Sequence, residues 1–156
     1  MRLVIAADHG GFRLKAALVA LLKERADIEL EDLGTSTEAS VDYPDYAHKV
    51  ATGILEKKWD RGILVCGTGV GMAIAANRHA GIRAVNCSDT YTARLSRSHN
   101  DSNILSLGER VVGPGLGWDI VTAWLGENAD PNERHARRRE KIELPKIPAN
   151  TRGPEP

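Results

Sequence analysis

The chain has 156 residues, 42% of them apolar, which is enough for one full hydrophobic core and too little for two domains. Its 21 lysines and arginines balance 21 acids, so no global basic field exists to attract nucleic acid or an anionic membrane. No apolar run reaches bilayer length and Met1-Arg2 opens directly into Leu3 without a signal-peptide pattern, which points to a cytoplasmic protein with a small molecule or another protein as partner.

In chain order, apolar runs of strand length fall at 3–7, 28–33, 63–66, 82–87 and 104–107. Helical patterns separate them, over 12–25, 46–58, 70–78, 90–99, 116–125 and 132–142. That alternation predicts a three-layer α/β/α, Rossmann-like domain around a five-stranded parallel sheet. The helix over 12–25 carries Phe12, Ala16 and Val19 on one stripe and Leu14, Leu18, Leu21 and Leu22 on another, more than one sheet face requires, so part of it is expected to meet another subunit. Asp89 is placed to cap the helix over 90–99. The domain is expected over 1–144, and the proline-rich segment 145–156 is expected to be extended or disordered.

The densest chemistry lies in Cys66-Gly67-Thr68-Gly69-Val70-Gly71, where a buried strand ends at a cysteine, passes three glycines and enters a helix. Glycines there let the backbone turn sharply and bring its N–H groups close to an anion, and the helix dipole favours thiolate over thiol. Cys66 and Cys87 close separate apolar runs, which is neither a metal-ligand spacing nor a disulfide pattern for a reducing compartment. Cys87 reads as a small buried apolar residue. A dinucleotide fingerprint fails because Met72 stands where its third glycine belongs, and no Gly-Lys-Ser/Thr ending makes a P-loop.

Ligands of open parallel sheets bind at the carboxyl ends of the strands. That rule nominates Asp8 and His9, the Cys66 loop, Ser88 and Asp89, and Gly108, Glu109 and Arg110. Asp8 also suits a helix cap, and His99, closing a helix in Ser98-His99-Asn100-Asp101, suits a helix C-terminus. His48 and His79 read as surface residues without comparable company. Arg134 and Arg138 are four apart and share a helix face, so both guanidinium groups can converge on one phosphate. With 4% aromatic residues and no nucleic-acid module, this basic helix is not assigned to nucleic acid.

Asp8-His9-Gly10-Gly11, Asp42-Tyr43-Pro44-Asp45-Tyr46, the Cys66–Gly71 loop, Ala75-Ala76-Asn77, Gly81-Ile82-Arg83-Ala84 and the run from Leu95 to Asp101 occur together in one order. In that set the sequence closely resembles type B ribose-5-phosphate isomerase over roughly residues 2–143. The resemblance implies an aldose–ketose isomerase acting on a sugar phosphate without metal or cofactor. It implies Cys66 as the base, because the glutamate of the family's other branch has no counterpart in Gly71-Met72-Ala73-Ile74. Backbone N–H groups of Gly67, Gly69, Val70 and Gly71 would hold the enediolate, Thr68 would move protons among the oxygens, and His99 with Asp8 would open the sugar ring. Tyr43 and Asn100 would contact the sugar, while His9, Arg110, Arg134 and Arg138 would clamp the phosphate. A homodimer or tetramer with sites shared between subunits is implied as well. Competing readings are the same chemistry on allose 6-phosphate, galactose 6-phosphate or a tetrose phosphate, a non-catalytic sugar-phosphate binding module, and, more remotely, a thiol hydrolase.

Overall fold

The computed structural model describes residues 1–143; the proline-rich segment predicted over 145–156 lies outside the described residues. Five strands form one parallel sheet: β1 (Arg2–Ala7), β2 (Glu29–Asp32), β3 (Arg61–Cys66), β4 (Ala84–Asn86) and β5 (Ile104–Gly108), in the order β2-β1-β3-β5-β4. Six helices cover it: α1 (Phe12–Lys23), α2 (Tyr43–Leu55), α3 (Val70–Ala76), α4 (Thr90–Ser98), α5 (Pro114–Leu125) and α6 (Glu133–Glu140). None is long and apolar enough to cross a membrane.

Side chains alternate across the sheet with period two, so each strand feeds two cores. Leu3, Ile5, Ile63, Val65, Leu105 and Leu107 pack toward α1 and α5, whereas Val4, Ala6, Leu64 and Cys66 pack toward α2 and α3. Central strands β1, β3 and β5 are buried almost throughout, as their unbroken apolar runs predict. The edge strands are shorter than predicted. β2 keeps four residues and β4 three, because residues with one strand neighbour and a half-exposed face lack the pairing that prolongs a ladder. Asn77 compensates at β4: its amide bonds both the N–H and the carbonyl of Ala84 at 2.8 Å.

Helix α2 begins at Tyr43, three residues before the predicted start, because Pro44 at its first turn has the φ a helix start needs and no N–H to satisfy. Part of the apolar surface of α1 packs inside the chain and part stays open to solvent. Leu14, Leu18, Val19 and Leu22 are buried in one cluster with Ile120, Val121 and Trp124 of α5, and Ala16 is exposed. Phe12 and Leu21 are half-buried.

Candidate active site

At the carboxyl edge of the sheet, the ends of β1, β3 and β5 are tied into one scaffold. Asp8 donates its N–H to the Val65 carbonyl (3.2 Å), Glu109 donates to the Cys66 carbonyl (2.9 Å), and Arg110 donates to the Gly67 carbonyl (3.1 Å). The Cys66 thiol, 6% exposed, accepts the Gly69 N–H at 3.1 Å. Gly69 has φ +80°, and a Cβ there would run into the Asn86 amide, so only glycine lets the loop fold back on the sulfur. Ser106 reinforces the turn by donating its hydroxyl to the Gly69 carbonyl at 2.6 Å.

Around this loop stand most of the predicted groups. The Tyr43 ring lies against Gly71, where a Cβ would approach it to 2.9 Å, and the Arg110 guanidinium lies over Gly67. Thr68 is exposed, its hydroxyl accepting the Val70 N–H at 3.4 Å. Asp8 is buried, and its carboxylate accepts the Gly10 N–H at 2.8 Å; it therefore caps the single 3₁₀ turn His9–Gly11 rather than α1. The free N-terminus of α1 is capped from a distance by Glu109, which accepts the Leu14 N–H at 2.9 Å. His9 is exposed and accepts the Val41 N–H on Nδ1 at 3.3 Å, so that nitrogen carries a lone pair and Nε2–H points elsewhere as a donor.

His99, Asn100, Arg134 and Arg138 are not in this group. α4 runs antiparallel to the strands and carries the chain from Asp89, beyond the carboxyl end of β4, back to the amino edge of the sheet. There the Asn100 and Asp101 carbonyls accept from Arg83 Nε at 3.0 Å each, and the Asn103 carbonyl accepts the Gly62 N–H at 3.0 Å. Between Arg61 and Cys66, β3 rises roughly 16 Å at 3.3 Å per residue, so thiol and His99 stand at opposite edges. α6 joins the His99 side: Asp130 donates its N–H to the Ser98 carbonyl at 2.8 Å, and Arg139 reaches the His99 and Asp130 carbonyls. Among the described residues, no hydrogen bond or ion pair links the two groups. A cavity of about 560 Å³ between α3, β4 and α4 includes Asn77, His79, Arg83 and Asn100 in its walls but not Cys66.

A family model for ribose/galactose isomerase matches residues 3–142. The chain belongs to the ribose/galactose isomerase family. Ribose-5-phosphate isomerase B of Escherichia coli is 50% identical over 141 residues, covering 90% of this chain and 93% of that protein. The structure of ribose-5-phosphate isomerase B from Clostridium thermocellum superposes with a TM-score of 0.88 at 51% identity, covering 91% of this chain and 95% of the other. D-erythrulose-4-phosphate isomerase of Pectobacterium atrosepticum is 39% identical over 125 residues, or 80% of this chain and 82% of that one.

One residue beside the candidate groups, His135, escaped sequence reasoning, and the role of a second, Glu109, did too. Glu109 was nominated by its strand end, but nothing local reveals that it caps a helix 95 residues away. His135, 4% exposed on α6, stacks on His99 with ring centroids 4.3 Å apart and an 11° interplanar angle. Its Nε2 lies 3.2 Å from Arg134 Nη2 and 3.6 Å from Asp130 Oδ2. A guanidinium only donates, so the contact with Arg134 requires an unprotonated Nε2. Burial, and then the charges of His99 and Arg134, hold His135 below the ordinary histidine value against the pull of Asp130. A histidine inside an arginine-rich helical run was the one available signal. His48 and His79 also have company, in each other: their Nδ1 and Nε2 are 2.8 Å apart. Cys87 is buried as expected, and burial pushes its thiol up.

Proposed function

We propose that this protein interconverts ribose 5-phosphate and ribulose 5-phosphate through a cis-enediolate, with Cys66 as the base. The observation that carries the reading is a buried thiol at the carboxyl end of β3, beside a glycine loop whose following residues Gly71–Ile74 hold no carboxylate, in a chain half identical to the E. coli isomerase. Cys66 takes the proton from C2 of the open-chain aldose and returns it to C1, while Thr68 moves the proton between O1 and O2. The N–H groups of Gly67 and Gly71 hold the developing oxyanion, joined by those of Gly69 and Val70 once substrate draws them from the Cys66 thiol and the Thr68 hydroxyl.

Sugar phosphates arrive mainly as rings, and His99 assisted by Asp8 opens the hemiacetal. Tyr43 and Asn100 hold the sugar hydroxyls; His9, Arg110, Arg134 and Arg138 hold the phosphate dianion. Cys66 with Arg110 at one edge and His99 with Arg134 at the other cannot serve one substrate within one chain. That separation supports a homodimer, or a tetramer of such dimers, in which each site takes its two halves from two copies. Val70 and Ile74 add support, since one face of α3 beside the thiol exposes both, at 48% and 57%.

The 39% identity to an erythrulose-phosphate isomerase favours a second reading, the same chemistry on a tetrose phosphate. Steady-state kcat/KM on four-, five- and six-carbon aldose phosphates separates the two. Ribose 5-phosphate is expected to lead, with turnover abolished by Cys66→Ala and retained by Cys87→Ala. A faster four-carbon substrate would install the second reading, and an active Cys66→Ala protein would remove the thiol from the mechanism.

A further inference from the structure

The amino edge of the sheet holds a second feature, outside everything assigned above. Arg2, Lys57, Arg61, Arg83 and Arg97 converge on a cavity of about 390 Å³, in the size range of small-molecule sites, with Asp60 and Asp101 as its only carboxylates among the described residues. The carboxylates are already committed: Asp60 to Arg2 at 2.8 Å, and Asp101 to Arg83 at 2.9 Å and to Arg97 at 2.6 Å. Arg61 has only carbonyl partners, those of Trp124, Leu125 and Glu127, at 3.2–3.4 Å. Carbonyls satisfy its N–H groups without cancelling its charge. Lys57 makes no ion pair among the described residues and stands on a left-handed backbone at φ 60°.

This charge is under strain. Arg61 and Arg97 flank one ring, with guanidinium carbons 5.5 and 6.0 Å from the Trp124 centroid. Burial and then the neighbouring Arg97 pull Arg61 down from its ordinary value to about 10, and the opposing pull of Asp101 and Asp60 does not offset them. The cations also spread laterally. Arg2 and Arg61 open adjacent strands β1 and β3, and Arg83 immediately precedes β4, two strands beyond β3 in the sheet order. At about 4.8 Å per strand spacing that line is roughly 14 Å wide, more than one phosphate can bridge.

We propose that this cavity is an anion site for a compact small molecule carrying two phosphoryl groups, separate from the candidate active site. Guanidinium forks and an ammonium suit phosphoryl oxygens, and a bound dianion or tetra-anion would neutralise the charge that Asp60 and Asp101 leave over. An anion that binds only the folded chain also raises its stability by mass action.

Inorganic pyrophosphate is the probe, followed by calorimetry and thermal melting on the Arg110→Ala/Arg134→Ala protein, in which the candidate phosphate clamp is crippled. Binding and a raised Tm are expected to persist there, and to weaken at least tenfold when Lys57→Asn is added. Asn tolerates the left-handed backbone, so that variant should fold and keep wild-type isomerase kinetics in the otherwise intact protein. Arg61→Gln, followed in parallel, should lose binding to a similar degree. Loss of pyrophosphate binding in the Arg110→Ala/Arg134→Ala protein, or unchanged affinity in both cavity variants, would overturn the site. Orthophosphate binding as tightly as pyrophosphate would overturn its assignment to a two-phosphoryl ligand.

Discussion

The two edges of the sheet are built from different materials. At the carboxyl edge, anion-facing groups are mostly backbone: glycine N–H groups, a helix start and a thiol, with Asp8 and Arg110 as the charged residues nearest the loop. At the amino edge, arginines dominate. The cause is the direction of the crossover helices. Their N-termini face the carboxyl edge and offer unpaired N–H groups, whereas their C-termini face the amino edge and leave carbonyls that need donors. Arg61 answers those of α5 and the residues after it, and Arg83 and Arg139 answer the carbonyls that follow α4. One parallel topology thus makes an edge suited to hold an anion with few side chains, and an edge that collects cations as a by-product of capping helices.

If the two edges act on one substrate, they must come from two chains, and subunit exchange tests that directly. Cys66→Ala and His99→Asn proteins are each expected to be inactive on ribose 5-phosphate. In a mixed dimer, one site receives both defects and the other receives neither. Random exchange makes about half the dimers mixed, so about a quarter of wild-type activity should return. Continued inactivity of a purified heterodimer would mean that both residues act within one chain.

The proposed phosphate clamp is divided in the same way, with His9 and Arg110 on one edge and Arg134 and Arg138 on the other. A charge-assisted hydrogen bond to phosphate contributes about 1.5–3 kcal/mol, so Arg134→Ala should raise KM for ribose 5-phosphate roughly 10- to 150-fold. Activity on unphosphorylated ribose should barely change. An equal loss on both sugars would show that Arg134 supports the fold of the His99 edge and leaves the phosphate to Arg110.

Sequence legibility divides along these edges too. The buried strands and the thiol loop were readable because unbroken apolar runs and clustered glycines have few other uses. The carboxyl-edge rule then placed Asp8, His9, Cys66 and Arg110 together without an alignment. It could not place His99, which closes α4, or Arg134, which lies in the first turn of α6. Yet a nine-residue helix following β4 must return the chain to the opposite edge, so the separation of His99 from Cys66 was implicit in the topology. The contact of Glu109 and the place of His135 were hidden for a different reason: their partners, Leu14 and Asp130 with His99, are chosen by packing, and no periodicity encodes that choice.

The smallest expected effect asks whether the amino edge depends on a neutral imidazole among its arginines. His135 is held below the usual 6.5, first by burial and then by His99 and Arg134, with Arg138 adding to and Asp130 opposing the shift. In the unfolded chain it titrates near its ordinary value, so between that value and the lower folded one the unfolded state binds more protons. Stability therefore rises with pH across that window: the contribution is complete above about 6.5 and is lost as pH falls through the folded value. His135→Gln keeps an oxygen that can accept from Arg134 and has nothing to titrate. Thermal melts from pH 7.5 to 5 should then show a shallower acid decline in Tm for His135→Gln than for the wild type. Parallel declines would mean that His135 remains neutral, or becomes charged, equally in both states, and the contact between Arg134 and its Nε2 would not be what sets the protonation of this edge.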